Sequence, residues 1–572
     1  MRNRGPGVEE LKGLIAVARG AAPADLLFRN ARIVNTLTGE IEPGNVAVWK
    51  EWIVGVGDYS QARHSIDLKG KYLCPGLIDA HVHLESSYLH PAQYARAVVP
   101  RGTTALVTDL HEIANVAGLE GIRRFLAWTR RLPLDFFFMA PSCVPATDLE
   151  TSGARLGPEE VRRVLGWKGV LGLGEMMNFP GVLAAQGDVL EKLASGRGKL
   201  FDGHAPGLRG RDLNAYIAAG PASDHETVDP EEGREKLRRG MHLMLREGSA
   251  EKNLEALLPL VTDGTYPHCS LVVDDRTCLD LLRDGDMDAV VRKAIALGLD
   301  PVRALQLATI NPARYFRLER RGAIAPGYVA NLIVVRDLKN FRAELVFHHG
   351  RLVARKGQAL FSPRAGQALG GTMNVKPFPP EALRLGASKA SLPVIQVLPG
   401  QIITRRVDER PRTARHQVVS DTERDILKAV VVERHRATGN IGLGMVRGFG
   451  LKEGALASSI AHDSHNIVAV GVRDEDIYAA IQEIIRLGGG LVVARGGKAV
   501  ASLPLPIAGL LSPRPLEEVV ASLERLQALA REMGCPLPSP FSTMSFLALP
   551  VIPELRLTDR GLVDVNSFRL LG

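Results

Sequence analysis

The sequence lacks the features that define several broad classes of protein. No uncharged apolar run approaches the ~18 residues that cross a bilayer, and the first five residues lack the apolar core of a signal peptide. The five cysteines are far apart and form no Cys-x-x-Cys pair, which argues against a disulfide framework or a zinc knuckle. The formal charge of +8 comes without a basic tract, so nucleic-acid binding is not expected. We therefore expect a cytoplasmic protein with no membrane partner.

The chain is long enough for more than one domain. It has 572 residues, of which 45% are apolar and 23% charged, the ordinary balance of a soluble globular protein, and two to four domains are expected. Short strand-like runs occur on both flanks of a central region, for example at 26–34 and 331–335. We interpret residues 1–74 and 321–361 as one β-sandwich domain, built from both flanks of an inserted domain.

The inserted region, residues 75–320, alternates short apolar strands with helical segments. Eight candidate strands end at His83, Asp109, Ala140, Glu175, His204, His225, Arg246 and Asp274. Eight strands with intervening helices in ~250 residues predict a (β/α)₈ barrel, an α/β fold. In that fold the active site lies at the carboxyl ends of the strands, where most of these polar residues fall.

The last third of the chain has a different pattern of residues. Residues 362–394, rich in Gly and Pro, are predicted to be a linker, and 395–572 a further α/β (α+β) domain whose topology the sequence does not define. An amphipathic helix is expected over 516–532. The run His462-Asp463-Ser464-His465 predicts a cap over the barrel or a buried polar network, in preference to another metal site. His348, His349 and His435 are expected at the surface.

Six residues at the predicted strand ends have the chemistry of metal ligands. In a strand, His81 and His83 point to the same side because they are two residues apart. Each histidine alone is equally well explained as a hydrogen-bonded structural residue. Together, four imidazoles and two carboxylates exceed the needs of one tetrahedral ion and suit a pair of ions bridged by a carboxylate. The proposed ligands are His81, His83, Glu175, His204, His225 and Asp274.

Two runs match known motifs only in part and do not indicate the functions of those motifs. His83-Leu84-Glu85 matches half of the zinc cytidine-type deaminase signature, but the other half, Pro-Cys-x-x-Cys, is absent. The glycine-rich run 442–448 has the wrong spacing for a dinucleotide loop and no clear helix after it.

Several stretches resemble a known superfamily. The run 75–83, Pro-Gly-Leu-Ile-Asp-Ala-His-Val-His, is similar to the first-strand signature of the amidohydrolase superfamily, and 324–332 is similar to its return into the β-sandwich. More narrowly, residues 83–87, 111–116, 202–207, 219–226, 246–250 and 462–466 resemble the bacterial adenine deaminase family. The resemblance implies metal-dependent hydrolysis of adenine to hypoxanthine and ammonia, in purine salvage.

The resemblance also implies roles for the candidate residues. It makes Glu175 the bridging carboxylate, at a position where many superfamily members use a carbamylated lysine. It implies two divalent ions, manganese or ferrous iron with zinc as an alternative, and a homo-oligomer, with a homodimer favoured. Leu110 and Val273 depart from the expected proline and threonine, which puts loop geometry in question.

The remaining candidates concern catalysis and substrate binding. Asp274, with Glu226, is assigned to acid/base catalysis. His111, Glu112 and Glu85 are candidates for binding the nucleobase, or equally for orienting the metal ligands. Two other functions stay open: a metal-dependent hydrolase of another purine or cyclic amidine, and a non-catalytic interaction protein of the same shape.

Overall fold

The computed structural model describes residues 7–362, 369–387 and 390–571. The amino-terminal segment begins with one helix and continues with strands, the first of which contains the strand-like run 26–34. Its elements are α1 (Val8–Ala18), β1 (Ala24–Asn35), β2 (Glu40–Trp49), β3 (Trp52–Gly57), β4 (Ala62–Asp67) and β5 (Tyr72–Pro75).

The central segment alternates strands and helices. Its strands are β6 (Leu77–Val82), β7 (Thr103–Asp109), β8 (Asp135–Ala140), β9 (Val170–Met176), β10 (Leu200–Gly203), β11 (Ser223–Asp224), β12 (His242–Arg246) and β13 (Cys269–Val272). Its helices are α2 (Pro91–Val98), α3 (His111–Thr129), α4 (Pro158–Leu165), α5 (Phe179–Leu183), α6 (Gly187–Ser195), α7 (Gly210–Ala219), α8 (Pro230–Arg238), α9 (Leu254–Leu257), α10 (Cys278–Arg283), α11 (Met287–Ala296), α12 (Pro301–Leu307) and α13 (Ile310–Tyr315). All eight predicted strand ends lie within two residues of the observed ends.

These strands form a curled parallel sheet of the TIM-barrel-like α/β type. Strands β6 to β10 are hydrogen-bonded in chain order, and so are β11 to β13. Further backbone bonds connect the two groups: Ala222 N donates to Phe201 O at 2.9 Å, and His83 N donates to Asp274 O at 3.0 Å. The carboxyl ends of β6 and β13 therefore lie side by side.

Strands from both flanks of the central segment share one sheet. The later flank supplies β14 (Leu332–Val335), β15 (Ala343–His348), β16 (Arg351–Arg355) and β17 (Gln358–Ala359). Within residues 7–362, nine strands join in the order β17-β16-β15-β14-β5-β1-β2-β3, with β4 paired to β1. The junction is the antiparallel pair of β14 and β5, which begins at Leu332 and Pro75. Strands from both flanks are therefore hydrogen-bonded within one sheet.

The carboxyl-terminal segment contains a large mixed sheet. Its strands are β18 (Leu385–Gly386), β19 (Leu392–Val397), β20 (Thr404–Glu409), β21 (Arg412–Ala414), β22 (Gln417–Val419), β23 (Ile426–Val432), β24 (Ile441–Arg447), β25 (Ala455–Ser458), β26 (Ile467–Gly471), β27 (Gly490–Arg495), β28 (Lys498–Pro504), β29 (Leu555–Thr558), β30 (Gly561–Asp564) and β31 (Arg569–Leu570). Its helices are α14 (Asp474–Leu487), α15 (Leu516–Glu532) and α16 (Pro540–Ser545). Among the described residues, eight of these strands form a sheet in the order β20-β19-β24-β23-β26-β25-β27-β28.

Part of the predicted linker is packed. Residues 363–368 and 388–389 of it lie outside the described residues. Met373, Val375 and Phe378 pack against the buried apolar cluster beneath α14, and β18 pairs with β22. An extended run rich in Gly and Pro can therefore lie on a sheet surface, where its few apolar side chains are partly buried.

Helix α15 has the predicted bounds, and it helps to fix the carboxyl-terminal segment on the central one. Its buried residues recur every three or four positions, at Leu516, Val519, Leu523 and Leu526, which is the spacing of one helix face. That face packs against α10 and β28. Further along the chain, Asp559 Oδ1 accepts a hydrogen bond from Thr151 N at 2.8 Å. The carboxyl-terminal segment thus lies over the carboxyl ends of the parallel strands.

Candidate metal centre

The structure brings all six predicted ligands together. Each lies at the carboxyl end of a parallel strand or one to two residues beyond it, so the folding of the sheet alone places them on one side. Their relative exposures are between 2% and 4%, for His81, His83, Glu175, His204, His225 and Asp274. Buried imidazoles and carboxylates at this density require partners or a cation to offset the loss of hydration.

Glu175 is the centre of this arrangement. Its Oε1 lies 3.1 Å from His83 Nε2 and 3.5 Å from His81 Nε2. Its Oε2 lies 2.7 Å from His204 Nδ1 and 3.2 Å from His225 Nε2. One carboxylate therefore divides two histidine pairs, one pair at each oxygen. This is the geometry that a bridge between two ions needs.

Asp274 completes the half of the site that contains the first two histidines. Its Oδ1 lies 3.4 Å from both His81 Nε2 and His83 Nε2. Its backbone is left-handed, with φ of 60°, and Asp274 N donates to His81 O at 3.0 Å. A non-glycine residue held in this conformation costs of order 1–3 kcal/mol and is typical of functional sites. The departure at Val273 does not displace the ligand, because Val273 N bonds Asp79 Oδ1 at 3.3 Å.

The donor set fits a pair of divalent cations. His81 Nε2 and His83 Nε2 lie 3.1 Å apart, and two neutral imidazole lone pairs at that distance repel unless a proton or a cation lies between them. The six residues form groups of three in which the potential ligand atoms lie within 4.8 Å of one another. These groups are His81, His83 and Glu175; His81, His225 and Asp274; and Glu175, His204 and His225. Mixed imidazole and carboxylate ligands suit manganese, iron or zinc.

Without cations, the ligands compensate one another's charge. Burial would raise the pKa of Glu175, but His225 and the hydrogen bonds from the surrounding histidines hold it well below the usual value. Burial would lower the pKa of His81, yet hydrogen bonds to Asp274 and Glu175 raise it well above the usual value. The same carboxylates and imidazoles that attract a proton here would therefore attract a cation.

Arg246 and Glu226 form a buried ion pair beside the centre. Arg246, the last residue of β12, donates to Glu226 Oε1 at 2.5 Å, to Glu226 Oε2 at 2.9 Å and to Asp274 Oδ2 at 2.8 Å. Glu226 Oε1 lies 3.7 Å from His225 Nε2 and 3.8 Å from His204 Nδ1. The rule that places the candidate ligands at strand ends also applies to Arg246, for which the sequence predicts no role.

Glu112 contacts the carboxyl-terminal segment. Its Oε1 lies 2.5 Å from His462 Nδ1, and its Oε2 contacts His465 Nε2. His111, beside it, places Nε2 3.3 Å from Glu112 Oε1 and Nδ1 3.6 Å from Glu175 Oε1. Asp463 Oδ1 lies 3.8 Å from His111 Nε2. The run 462–465 therefore forms a buried polar network over the centre, as the sequence favours.

Glu85 has an unusual environment. Its Oε1 accepts from Ile113 N at 3.3 Å, and its buried Oε2 has no hydrogen-bond partner among the described residues. Burial, reinforced by the charge of Glu112, raises the pKa of Glu85 to about 7. The side chain is therefore able to exchange a proton near neutral pH.

Three histidines expected at the surface are only partly exposed. His348 and His349 contact Asp135 at the amino end of β8, with side-chain exposures of 12% and 30%. His435, only partly exposed, places Nε2 2.6 Å from Ser464 O. The expectation was wrong because their partners are distant in sequence, and no local pattern identifies them.

Comparison with known proteins agrees with this geometry. The sequence model of the Amidohydrolase family matches residues 72–353, and that of the adenine deaminase C-terminal domain matches residues 401–569. An adenine deaminase of Dehalococcoides mccartyi (strain ATCC BAA-2266 / KCTC 15142 / 195) is 58% identical over 98% of this chain and 99% of its own. Adenine deaminase 2 of Carboxydothermus hydrogenoformans is 49% identical over 99% of both chains. Among solved structures, an L-hydantoinase of Arthrobacter aurescens covers 60% of this chain with 16% identity and a TM-score of 0.46. Because it is similar to these relatives over nearly its whole length, the chain belongs to the adenine deaminase family.

Proposed function

We propose that this protein is a hydrolytic adenine deaminase, which converts adenine and water to hypoxanthine and ammonia in purine salvage in the cytoplasm. The observation that carries the proposal is the convergence of six buried ligands on Glu175 in a chain related over its whole length to adenine deaminases. Among the described residues no helix is long and apolar enough to cross a membrane.

We further propose that the eight parallel strands close into a (β/α)₈ barrel. The hydrogen bonds between β13 and β6, and between β10 and β11, support closure at both gaps between the sheets. The proposed units are residues 1–74 with 321–361 as the β-sandwich domain, 75–320 as the barrel and 395–572 as the carboxyl-terminal domain. The homodimer stays a prediction, which light scattering on the purified protein measures directly.

Two divalent cations, manganese or ferrous iron with zinc as the alternative, are the proposed cofactors. His81, His83, Asp274 and one oxygen of Glu175 would hold one, and His204, His225 and the other oxygen of Glu175 the second. When bound, the ions would lower the pKa of a coordinated water and so supply hydroxide near neutral pH.

Asp274 is the proposed general base and acid. Its Oδ1 faces the ligand histidines while its Oδ2 is held by Arg246, so the carboxylate is fixed in direction. It takes the proton of the attacking oxygen as the bond to C6 forms, and delivers it to the departing amine as the C6–N bond breaks. Glu226 is positioned beside Asp274 by the shared guanidinium of Arg246, which donates to both carboxylates.

Glu85 is the proposed partner of the purine ring. Its unpaired Oε2 and its pKa of about 7 suit a hydrogen bond to a ring nitrogen, whose basicity changes during the reaction. His111 lies between Glu175 and Glu112 and would contact the ring or orient the ligands. The run 462–465 covers this region and excludes water, which strengthens the electrostatic interactions inside the site.

The variant Asp274→Asn tests the mechanism. We expect turnover of adenine to fall by about 10²–10⁴-fold, the usual contribution of a positioned general acid/base. Metal content should stay near that of the parent protein, because an amide oxygen can still ligate. The absorbance change on adenine hydrolysis measures turnover, and elemental analysis measures the metal. Near-normal turnover in the variant would refute the role of Asp274.

A panel of nucleobases and cyclic amidines, assayed for ammonia release after reconstitution with manganese, iron or zinc, tests the substrate. Preferred release from adenine supports the proposal. Release mainly from another heterocycle would make the protein a different metal-dependent hydrolase. Absent activity with no bound metal would indicate the non-catalytic alternative.

A further inference from the structure

A second cluster of metal-ligand residues lies at the opposite ends of the parallel strands. Asp135 is the first residue of β8, while His348 and His349 lie at the turn between β15 and β16. His348 Nε2 and His349 Nε2 lie 3.3 Å and 3.0 Å from the same atom, Asp135 Oδ1. Three potential ligand atoms from two distant parts of the chain therefore converge.

Further polar groups surround the cluster. Asp135 Oδ2 accepts from Arg321 Nε at 3.0 Å and from Asn331 Nδ2 at 3.3 Å, and it also lies 3.2 Å from His349 Nε2. His349 Nδ1 lies 3.0 Å from Glu51 Oε2. Metal-bound histidines typically donate their second N–H to a carboxylate, which fixes the ring and raises its basicity. The contact with Glu51 is of this kind.

The spacing of the ligand atoms fits a tetrahedral ion. Zinc–nitrogen and zinc–oxygen bonds of about 2.0–2.2 Å place neighbouring ligands about 3.3 Å apart, close to the observed 3.0 Å and 3.3 Å. Three protein ligands leave a fourth position for water. The cluster borders a cleft of about 720 Å³, and the His349 side chain is 30% exposed, so an ion has a route to it.

We propose that Asp135, His348 and His349 bind one divalent transition-metal ion, with Zn²⁺ the best fit, at a site separate from the catalytic centre. The carboxylates of Asp135 and Glu51 offset the charge of the ion and of Arg321. Because Asp135 belongs to β8 and the histidines to the β15–β16 hairpin, the ion would fasten the nine-stranded sheet to the parallel strands. Its role is structural, and adenine turnover does not require it.

Zinc stoichiometry tests the proposal on the full chain. After chelation and reconstitution with Zn²⁺, we expect about three ions per parent chain and about two in His348→Gln and in His349→Gln. The matched control His64→Gln alters an exposed histidine of the same nine-stranded sheet and should keep three. Two ions in the parent protein, or no difference between the variants and the control, would overturn the proposal and leave the cluster an ion-pair network.

A second measurement separates this site from the catalytic one. In the Glu175→Gln background, where the catalytic pair is disrupted, we expect added Zn²⁺ still to raise the melting temperature. The further change His349→Gln should make that rise smaller, whereas His64→Gln should leave it unchanged. Circular dichroism checks that each variant is folded. A rise that is the same with and without His349→Gln would contradict the assignment, even if the catalytic proposal also fails.

Discussion

The two ends of the parallel strands carry different chemistry from the same residue types. At the carboxyl ends, histidines and carboxylates converge without apolar separation, and Glu175 links four imidazoles. At the amino ends, the histidines are fewer and lie against single partners, as in the contacts of His242 Nε2 with Ser270 Oγ at 2.8 Å and of His348 and His349 with Asp135. A group of buried polar atoms without hydrogen-bond partners thus indicates a functional site, whereas a buried histidine with a hydrogen-bond partner indicates a structural role.

Substitution of Glu175 should have the largest effect on the chemistry at the carboxyl ends of the strands. In Glu175→Gln the amide keeps a single oxygen, so it can no longer divide its two oxygens between the histidine pairs. We expect metal content at the catalytic centre to fall below two ions and adenine turnover to fall further than in Asp274→Asn. Elemental analysis and the adenine assay measure both quantities.

The control for that experiment is Glu159→Gln, which alters an exposed carboxylate in the first turn of α4. It should keep the metal and the activity of the parent protein. Full metal content with normal turnover in Glu175→Gln would show that the bridging assignment is wrong.

Loss of the Arg246 guanidinium should produce the largest change in stability. In Arg246→Met, the carboxylates of Glu226 and Asp274 remain buried without their shared cation. Breaking a buried ion pair on one side costs about 3–5 kcal/mol. Denaturant unfolding of the metal-free protein measures the free energy of unfolding.

The exposed pair of Arg283 and Glu524 offers a matched comparison. Their side chains are 59% and 43% exposed, and exposed pairs contribute about 0–1 kcal/mol. Arg283→Met should therefore leave the free energy of unfolding almost unchanged. Equal losses in the two variants would show that burial of Arg246 has no special consequence.

Glu112 tests whether the carboxyl-terminal segment supports the centre. In Glu112→Gln, one of the two histidine contacts is lost because the amide nitrogen cannot accept a hydrogen bond. We expect a fall in kcat of about 10–100-fold, the usual effect of altering a group that orients ligands. The protein should stay folded and keep its metals.

A double-mutant cycle with His465→Asn makes that test specific. If the two residues act through their contact, the combined loss in kcat should be smaller than the product of the single losses. Multiplicative losses would indicate that Glu112 and His465 act independently.

The sequence was sufficient to predict that the six candidate ligands lie together, because their signal is local. Each follows an apolar run at a strand end, and His81 and His83 share a strand face through a spacing of two. Apolar runs of this kind defined all eight strands, and apolar residues spaced three or four apart defined the helix Leu516–Glu532.

Contacts between distant segments could not be predicted in this way. Glu112 and His462 are 350 positions apart, and Asp135 and His349 are 214 apart. Neither pairing leaves a periodic pattern, since it depends on how whole units pack. Likewise, the order of the carboxyl-terminal sheet places β25 between β26 and β27, a crossover that strand propensity does not encode.

The smallest expected effect concerns His242, a structural histidine at the amino end of β12. Burial lowers its pKa to about 3 from the usual 6.5, so it is neutral in the folded protein and becomes protonated on unfolding below pH 6.5. Its neutral form therefore contributes stability above about pH 6.5 that is lost as pH falls towards 3. In His242→Gln this part of the pH dependence should disappear, while adenine turnover at pH 7.5 stays close to that of the parent protein.

Urea unfolding of both proteins between pH 7.5 and 4 measures how steeply the free energy of unfolding depends on pH. Loss of the stacking against Tyr315 lowers stability equally at every pH, so only the slope reports on the proton. Parallel curves would contradict a neutral His242, and a large fall in turnover would contradict the assignment of structure to this end of the strands.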